Sequence, residues 1–357
     1  MLDWLLQSDF DTSVTAALWS TIVAVASTLV LFLYTLGLRV ATTIAERRHV
    51  PLIARWRRIF ASAVVSDTQD NWSGLPAIKR NQLIDILEEW NLTRTTVAGD
   101  ATENLISLAD HLGFRAAALH LLQKRKIASK LLGIQTLGHL RDKQSWPAIM
   151  EAVGNPSSAI SITAAVALVD IDAEKAMPVL MPLIALRRDW PQTRVATFLR
   201  KAGSDVISEP MGRALRSGDP KSQIHLMKFA PLMETGSADE VAAELVSKSQ
   251  DAGVLAAALE LLSGHGGLPG IERLAVHEAW FVRLRVAQIL GRAGLKEHFP
   301  LLEAMLEDPE WWVRYRAAQA IAALPFLGPN ALHQLQQRQT DPFARDMLGQ
   351  AIAEAGL

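Results

Sequence analysis

A six-residue pattern that returns at an almost constant interval constrains this chain more than any other feature. Leu132 to Leu137 (Leu-Gly-Ile-Gln-Thr-Leu) is followed by Thr163 to Leu168 (Thr-Ala-Ala-Val-Ala-Leu) and by Arg194 to Leu199 (Arg-Val-Ala-Thr-Phe-Leu). Further copies start at Ile224, Ala256, Arg285, Arg316 and Met347. The whole series keeps a period of roughly 31 residues, within the range of helical-hairpin repeats. A supersecondary unit of this size cannot bury its apolar face alone. It must stack on its neighbours and present an extended surface.

Each repeat reads as two helices. Apolar residues recur at i, i+3, i+4 and i+7 between short breaks at Gly154-Asn155-Pro156, Ser217-Gly218-Asp219-Pro220, Gly264-His265-Gly266-Gly267 and Asp308-Pro309. No sustained period-two run of β-branched residues signals a strand. The first helix of each pair is Ala-rich, as in Val313 to Ile321, so helices of adjacent repeats can approach closely. The second is Leu-rich, as in Phe299 to Leu306.

The run from Val14 to Leu38 carries no formal charge. As a helix it is ~37 Å long, enough to cross a hydrocarbon layer of about 30 Å. Trp19 and Tyr34 stand near its ends, where amphipathic rings favour the interface. A cleaved signal peptide expects a basic start and a shorter apolar stretch, whereas Asp3, Asp9 and Asp11 make this start acidic. The run is therefore expected to be a single-pass transmembrane anchor within residues 1–40. Arg39, Arg47, Arg48, Arg55, Arg57 and Arg58 follow it. Basic flanks stay cytoplasmic, which puts the N-terminus outside and the repeats in the cytosol.

Residues 41–75 read as a basic juxtamembrane helix and a linker. Leu52, Trp56, Ile59 and Phe60 form one helical stripe, with Arg55, Arg57 and Arg58 off it. Together with Arg47 and Arg48 they suit a helix lying on an anionic leaflet. The same stripe also suits a helix packed on the first repeat, and the residues alone leave both readings open. Residues 61–75 are turn-rich, and Pro76 fits the first position of the next helix, opening a repeat region over 76–357.

Asp308-Pro309-Glu310-Trp311-Trp312-Val313-Arg314, followed by Ala317-Ala318, resembles the signature of bacterial HEAT repeats of the short, phycobilisome-lyase type. His277 to Arg283, followed by Val286-Ala287, is a second copy, and Asp189 to Ala196 a weaker third. The copy near Ile224 departs most, with His225 and Lys228 inside its core pattern. The resemblance implies an all-α fold, a right-handed α-solenoid of about eight HEAT-like hairpins behind one N-terminal transmembrane helix, with a curved inner face used for binding. It also implies that Arg194, Arg283 and Arg314 pair with the acids opening the repeats, Asp189, Glu278 or Asp308. Trp190, Trp280 and Trp311 occupy near-equivalent positions and are expected to wedge between repeats. Trp312 must face another way. Arg285 and Arg316, two residues beyond the structural arginines, also point elsewhere. These three are the protein-binding candidates.

The sequence offers little for catalysis. The absence of cysteine excludes disulfides, thiolate nucleophiles and cysteine-ligated metals. The nine histidines show no metal-ligand spacing, and there is no phosphate-cradling Gly-x-x-x-x-Gly-Lys motif or Gly-x-Ser-x-Gly elbow. No catalytic, cofactor or metal site is expected, and the chain is not expected to be an enzyme. The formal net charge is −1. Beyond residue 60 there remain 30 Lys and Arg against 33 Asp and Glu, six bases and four acids having gone with the first 60. That is not the footprint of a nucleic-acid binder.

The sequence thus points to a membrane-anchored adaptor of the bacterial inner membrane, whose cytosolic solenoid holds a membrane-associated protein partner. The resemblance further suggests a membrane glycosyltransferase of envelope or exopolysaccharide synthesis as that partner. The other reading kept open is a concave face that binds a small cofactor or lipid headgroup in an enzyme-like role. The last pattern copy ends at Leu357 without a second helix, so its open face is expected to be capped by polar residues such as Gln350 and Glu354 or by another chain, a second copy of this one included.

Overall fold

The computed structural model describes residues 12–65, 72, 74–263 and 270–356, without the side chains of 12–16, 38, 40–49 and 100. Among the described residues the regular elements are all helical. The chain divides into two compact units, Met1–Ala117 and Ala118–Leu357.

The first unit is built from α1 (Thr12–Val65), α2 (Leu83–Thr96) and α3 (Asp100–His111), and α4 (Phe114–Leu122) carries the chain into the second unit. At 54 residues α1 is a single helix about 81 Å long. Within it, Ala17–Gly37 is exposed along its whole length with a mean hydropathy of 2.0, long and apolar enough to cross a bilayer. Its serine and threonine hydroxyls are satisfied internally: Thr21, Ser27 and Thr28 each donate to the carbonyl four residues earlier and Ser20 and Thr35 to the one three residues earlier, at 2.7–2.9 Å. These side chains therefore offer no unpaired hydroxyl to a hydrocarbon environment.

The distal part of α1 corrects the reading of a lipid-facing stripe. Trp56 and Phe60 are buried, and with Ala63 they pack on α2 and α3. Ile86, Leu87 and Trp90 of α2 and Leu105, Leu108 and Ala109 of α3 complete this core. Phe114 meets Trp90 edge to face at 5.9 Å. The stripe is matched by apolar faces of the same unit, so burial there removes it from water without a membrane. Leu52 and Ile59 are half-buried at its margin, while Arg55, Arg57 and Arg58 remain exposed. Arg57 chelates Glu89 at 2.6 and 3.0 Å, which holds the guanidinium pKa above its already high ordinary value. The side chains of Arg47 and Arg48 lie outside the described residues. So do residues 66–71 and 73 of the expected linker, although α1 itself continues through Val65. Pro76 does not open a helix: residues 75–79 are irregular and α2 starts at Leu83.

The second unit is a stack of helical hairpins. In order it runs α5 (Ile127–His139), α6 (Trp146–Val153), α7 (Ser158–Ile171), α8 (Ala173–Leu186), α9 (Gln192–Ala202), α10 (Ser204–Ser217) and α11 (Pro220–Met227). It continues through α12 (Thr235–Lys248), α13 (Ala252–Leu261), α14 (Ile271–Ala275), α15 (Trp280–Ala293), α16 (Phe299–Ala304), α17 (Trp311–Ala322), α18 (Pro329–Arg338) and α19 (Pro342–Glu354). Every pattern start from Leu132 to Met347 falls inside an odd-numbered helix. The odd helices pack on one another, α5 on α7, α7 on α9, and α11 through α19 in succession. The even helices α8, α10 and α12 form a second row.

Small residues set the spacing of the first row. A Cβ on Gly138 of α5 would stand 2.7 Å from Cβ of Ala167 in α7, and one on Gly291 of α15 would stand 2.6 Å from Cβ of Ala320 in α17. Helix starts are fixed by aspartate caps: Asp219 accepts from the backbone N–H of Lys221 and Ser222, Asp251 from Val254, and Asp341 from Phe343. Pro220 and Pro342 follow two of these caps at the first helical position, where no N–H is needed.

Candidate functional site

The C-terminal odd helices carry an open groove of about 540 Å³ between α13, α15 and α17. Gly291, Ala320 and Ala323 line it, so longer side chains can lie across the small ones. Two arginine–glutamine pairs repeat along it at the same register. Arg285 Nη1 donates to Gln288 Oε1 at 2.8 Å, and Arg316 Nη1 donates to Gln319 Oε1 at 2.8 Å. Arg285 also meets Glu260 at 2.9 Å, and Arg292 donates to the carbonyls of Leu259 and Glu260 at the C-terminal end of α13. Next to the groove, Tyr315 Oη donates to Glu354 at 2.9 Å and accepts from Gln319 Nε2 at 2.7 Å. Hydrogen bonds from Gln350 first and Tyr315 second hold the Glu354 carboxyl below its usual range, and the bond to Glu354 raises the phenol of Tyr315.

Two protein-binding candidates, Arg285 and Arg316, thus line one groove. The third, Trp312, is exposed and stands one turn before Arg316, on the same face of α17. Its equivalents one repeat before and after, Phe281 and Phe343, are exposed too, so an aromatic column flanks the arginine column. The glutamines at i+3 of each arginine escaped the sequence reading. Their return at the same interval as the arginines was the signal available.

The structural candidates divide. Trp190 is buried as expected, with its indole N–H donating to Ser161 Oγ at 3.2 Å and its ring edge to face with Phe198. Trp280 and Trp311 are not wedges. They are 41% and 39% exposed, because each opens a helix at the border of the stack, where no further layer covers it. Trp311 instead stacks on Tyr315 at 5.1 Å.

Arg283 chelates Asp308 of the following repeat at 2.6 and 2.8 Å and donates through Nη1 to the carbonyls of His277 and Glu278. Arg314 makes the equivalent backbone contacts to Asp308 and Pro309, and Arg345 one to Gln339. Gln339 takes the place of Asp308 one repeat later. With an amide in the carboxylate's place, Arg314 Nε is buried without a hydrogen-bond partner. Arg194 does not pair with Asp189. Arg187 chelates that acid at 2.8 Å through both nitrogens, a closure within one tight turn, and this keeps the Asp189 carboxyl below its usual range. Arg194 is exposed.

Among the described residues no group of three or more His, Asp or Glu converges on a metal position. Residues 268–355 match the family model of HEAT repeats. No curated protein matches the sequence. Among solved structures, Kap121p aligns with a TM-score of 0.45 and 13% identity over 78% of this chain, which spans 37% of its length. The archaeal HEAT-like repeats protein from Thermococcus onnurineus NA1 aligns at 0.29 and 14% over 68% of this chain and 97% of its own. Human deoxyhypusine hydroxylase aligns at 0.29 and 14% over 77% and 97% respectively.

Proposed function

We propose that this chain is a membrane-anchored scaffold, whose second unit holds an extended segment of a protein partner in the groove between α13, α15 and α17. The observation that carries this reading is the doubled Arg–Gln pair, Arg285 with Gln288 and Arg316 with Gln319, spaced by one repeat. Each pair offers guanidinium N–H groups, and Gln288 its amide N–H as well, to a peptide backbone or a carboxylate passing along the row, while the Gln319 amide is held by Tyr315 and Glu354. The groove is open, which suits an extended chain better than a small cofactor that must be largely enclosed.

The exposed apolar run Ala17–Gly37 supports anchoring by length and composition. In this reading the basic residues after it hold the second unit in the cytosol, at the inner membrane of a bacterium. The partner is then confined to the same bilayer, and the tether raises its effective concentration. A membrane glycosyltransferase is the partner that the sequence resemblance suggests.

The test places a photocrosslinking amino acid at Gln288 in the full chain in native membranes. A protein adduct is expected, and Arg285→Glu with Arg316→Glu should lower its yield about tenfold while circular dichroism stays unchanged. A yield indifferent to both substitutions, or adducts to lipid alone, overturns the groove as a protein site.

A further inference from the structure

One border of the second unit concentrates its exposed apolar side chains. The odd helices run parallel in a row, so their N-termini and the connections that precede them share an edge. Hydrogen bonds tie successive connections along it. Arg187 donates to the carbonyl of Asn155, Ser158 to that of Asp189, and Arg188 to that of Lys221. The exposed rings of Trp280, Phe281, Trp311, Trp312 and Phe343 open α15, α17 and α19 on this edge. Ile127, Leu186 and Val276 stand there as well, 53%, 67% and 79% exposed. Among the described residues of this unit only Val179 and Leu295 are large, apolar and exposed away from it. Isolated exposed apolar residues need no explanation, but their confinement to one border does.

The charges on the edge are also ordered. Lys124, Arg125 and Lys126 precede α5 and are all exposed. Most carboxylates of the edge are engaged: Asp189 by Arg187, Asp308 by Arg283, and Asp219, Asp251 and Asp341 as helix caps. Glu278, Glu307 and Glu310 remain, and all three lie at the aromatic end, away from the basic cluster.

We propose that this edge rests on the surface of an anionic lipid bilayer. Lys124 to Lys126 meet the headgroups, and the Trp and Phe rings enter the interfacial layer. Tryptophan and phenylalanine with aliphatic neighbours are the side chains that gain most in that layer, and a polybasic cluster adds attraction to anionic lipid. The contact takes only its proximity to membrane from the proposed anchoring, and it orients the groove relative to the bilayer.

The chain has no cysteine, so single labels are clean. The full-length protein carrying Ile127→Cys or Phe343→Cys, with Leu295→Cys as the control, is labelled with an environment-sensitive nitrobenzoxadiazole dye. It is then reconstituted in vesicles of phosphatidylcholine and phosphatidylglycerol. Labels at 127 and 343 are expected to be blue-shifted and at least about threefold less quenched by iodide than the label at 295, with a loss of protection when Lys124, Arg125 and Lys126 are changed to Glu. Equal quenching at all three positions overturns the proposal. So does protection that appears only when proteins from native membranes are added, which would make the edge a protein contact. Alkaline carbonate extraction of the same vesicles reports separately on α1. Protein that resists extraction with quenchable labels defeats the edge alone, and protected labels on extractable protein defeat the anchor alone.

Discussion

Arg283 and Asp308 lock two successive repeats together. The guanidinium donates to both carboxylate oxygens at 2.6 and 2.8 Å, and its remaining nitrogen caps the connection of its own repeat at the carbonyl of His277. One side chain therefore fixes the start of α15 and the approach of α17. The two side chains are only 12% and 6% exposed. Removing the acid would strand a largely buried cation. Asp308→Ala is expected to lower stability by about 3–5 kcal/mol in urea unfolding, and Glu310→Ala by less than about 0.5 kcal/mol. Equal effects would mean that the pair is not a clamp.

Gly291 permits the close approach of α15 and α17. A methyl there would meet Cβ and Cα of Ala320 at 2.6 and 3.0 Å, and backbone cannot rotate away. Gly291→Ala should cost about 1–3 kcal/mol despite its gain in helix propensity. Since Gly291 lines the groove, partner crosslinking at Gln288 should fall with it. A stabilised variant would show that the helices separate freely.

The tryptophans give a paired contrast. Trp190 is 2% exposed and Trp311 39% exposed. Trp190→Ala should cost about 3–5 kcal/mol, by cavity formation. Trp311→Ala should cost about 1 kcal/mol, mainly the lost stack on Tyr315. Thermal unfolding of the two variants side by side separates the cases, and equal losses would place Trp311 inside the stack.

His225 is expected to make the second unit sensitive to acid. Burial first, then the positive charges of Arg188 and Lys228, hold its pKa below the ordinary histidine value. Its folded-state pKa is depressed, so its contribution is complete above the unfolded value near 6.5 and is lost as pH falls through the lower folded value. Stability measured from pH 7 downward should decline over that window, and His225→Gln should flatten the decline. An unchanged profile in the variant assigns the acid sensitivity to other groups.

Topology is testable with a fused reporter. An enzyme active only in the cytosol, placed after Leu357, should be active, and deletion of residues 1–40 should move the protein to the soluble fraction. Periplasmic activity overturns the orientation. Continued sedimentation after the deletion would assign membrane retention to the edge of the second unit or to a bound partner.

Sequence alone determined the repeat, its period and the helical pairs, because period and apolar phase are local properties that every copy restates. It also determined the uncharged run over Val14 to Leu38 and the arginine columns, which any reader of the register can align. Tertiary structure decided which side chains those columns meet. Arg187 rather than Arg194 reaches Asp189, because a turn brings its guanidinium nearer than a helix does. Trp56 and Phe60 turn to α2 and α3, because an apolar stripe packs wherever a matching face is closest. Trp190 is buried while Trp280 and Trp311 are not, although all three share nearly the same place in the pattern. Pattern fixes which face of a helix a residue occupies. Whether another layer covers that face depends on the neighbours the fold supplies, and those neighbours are distant in the chain.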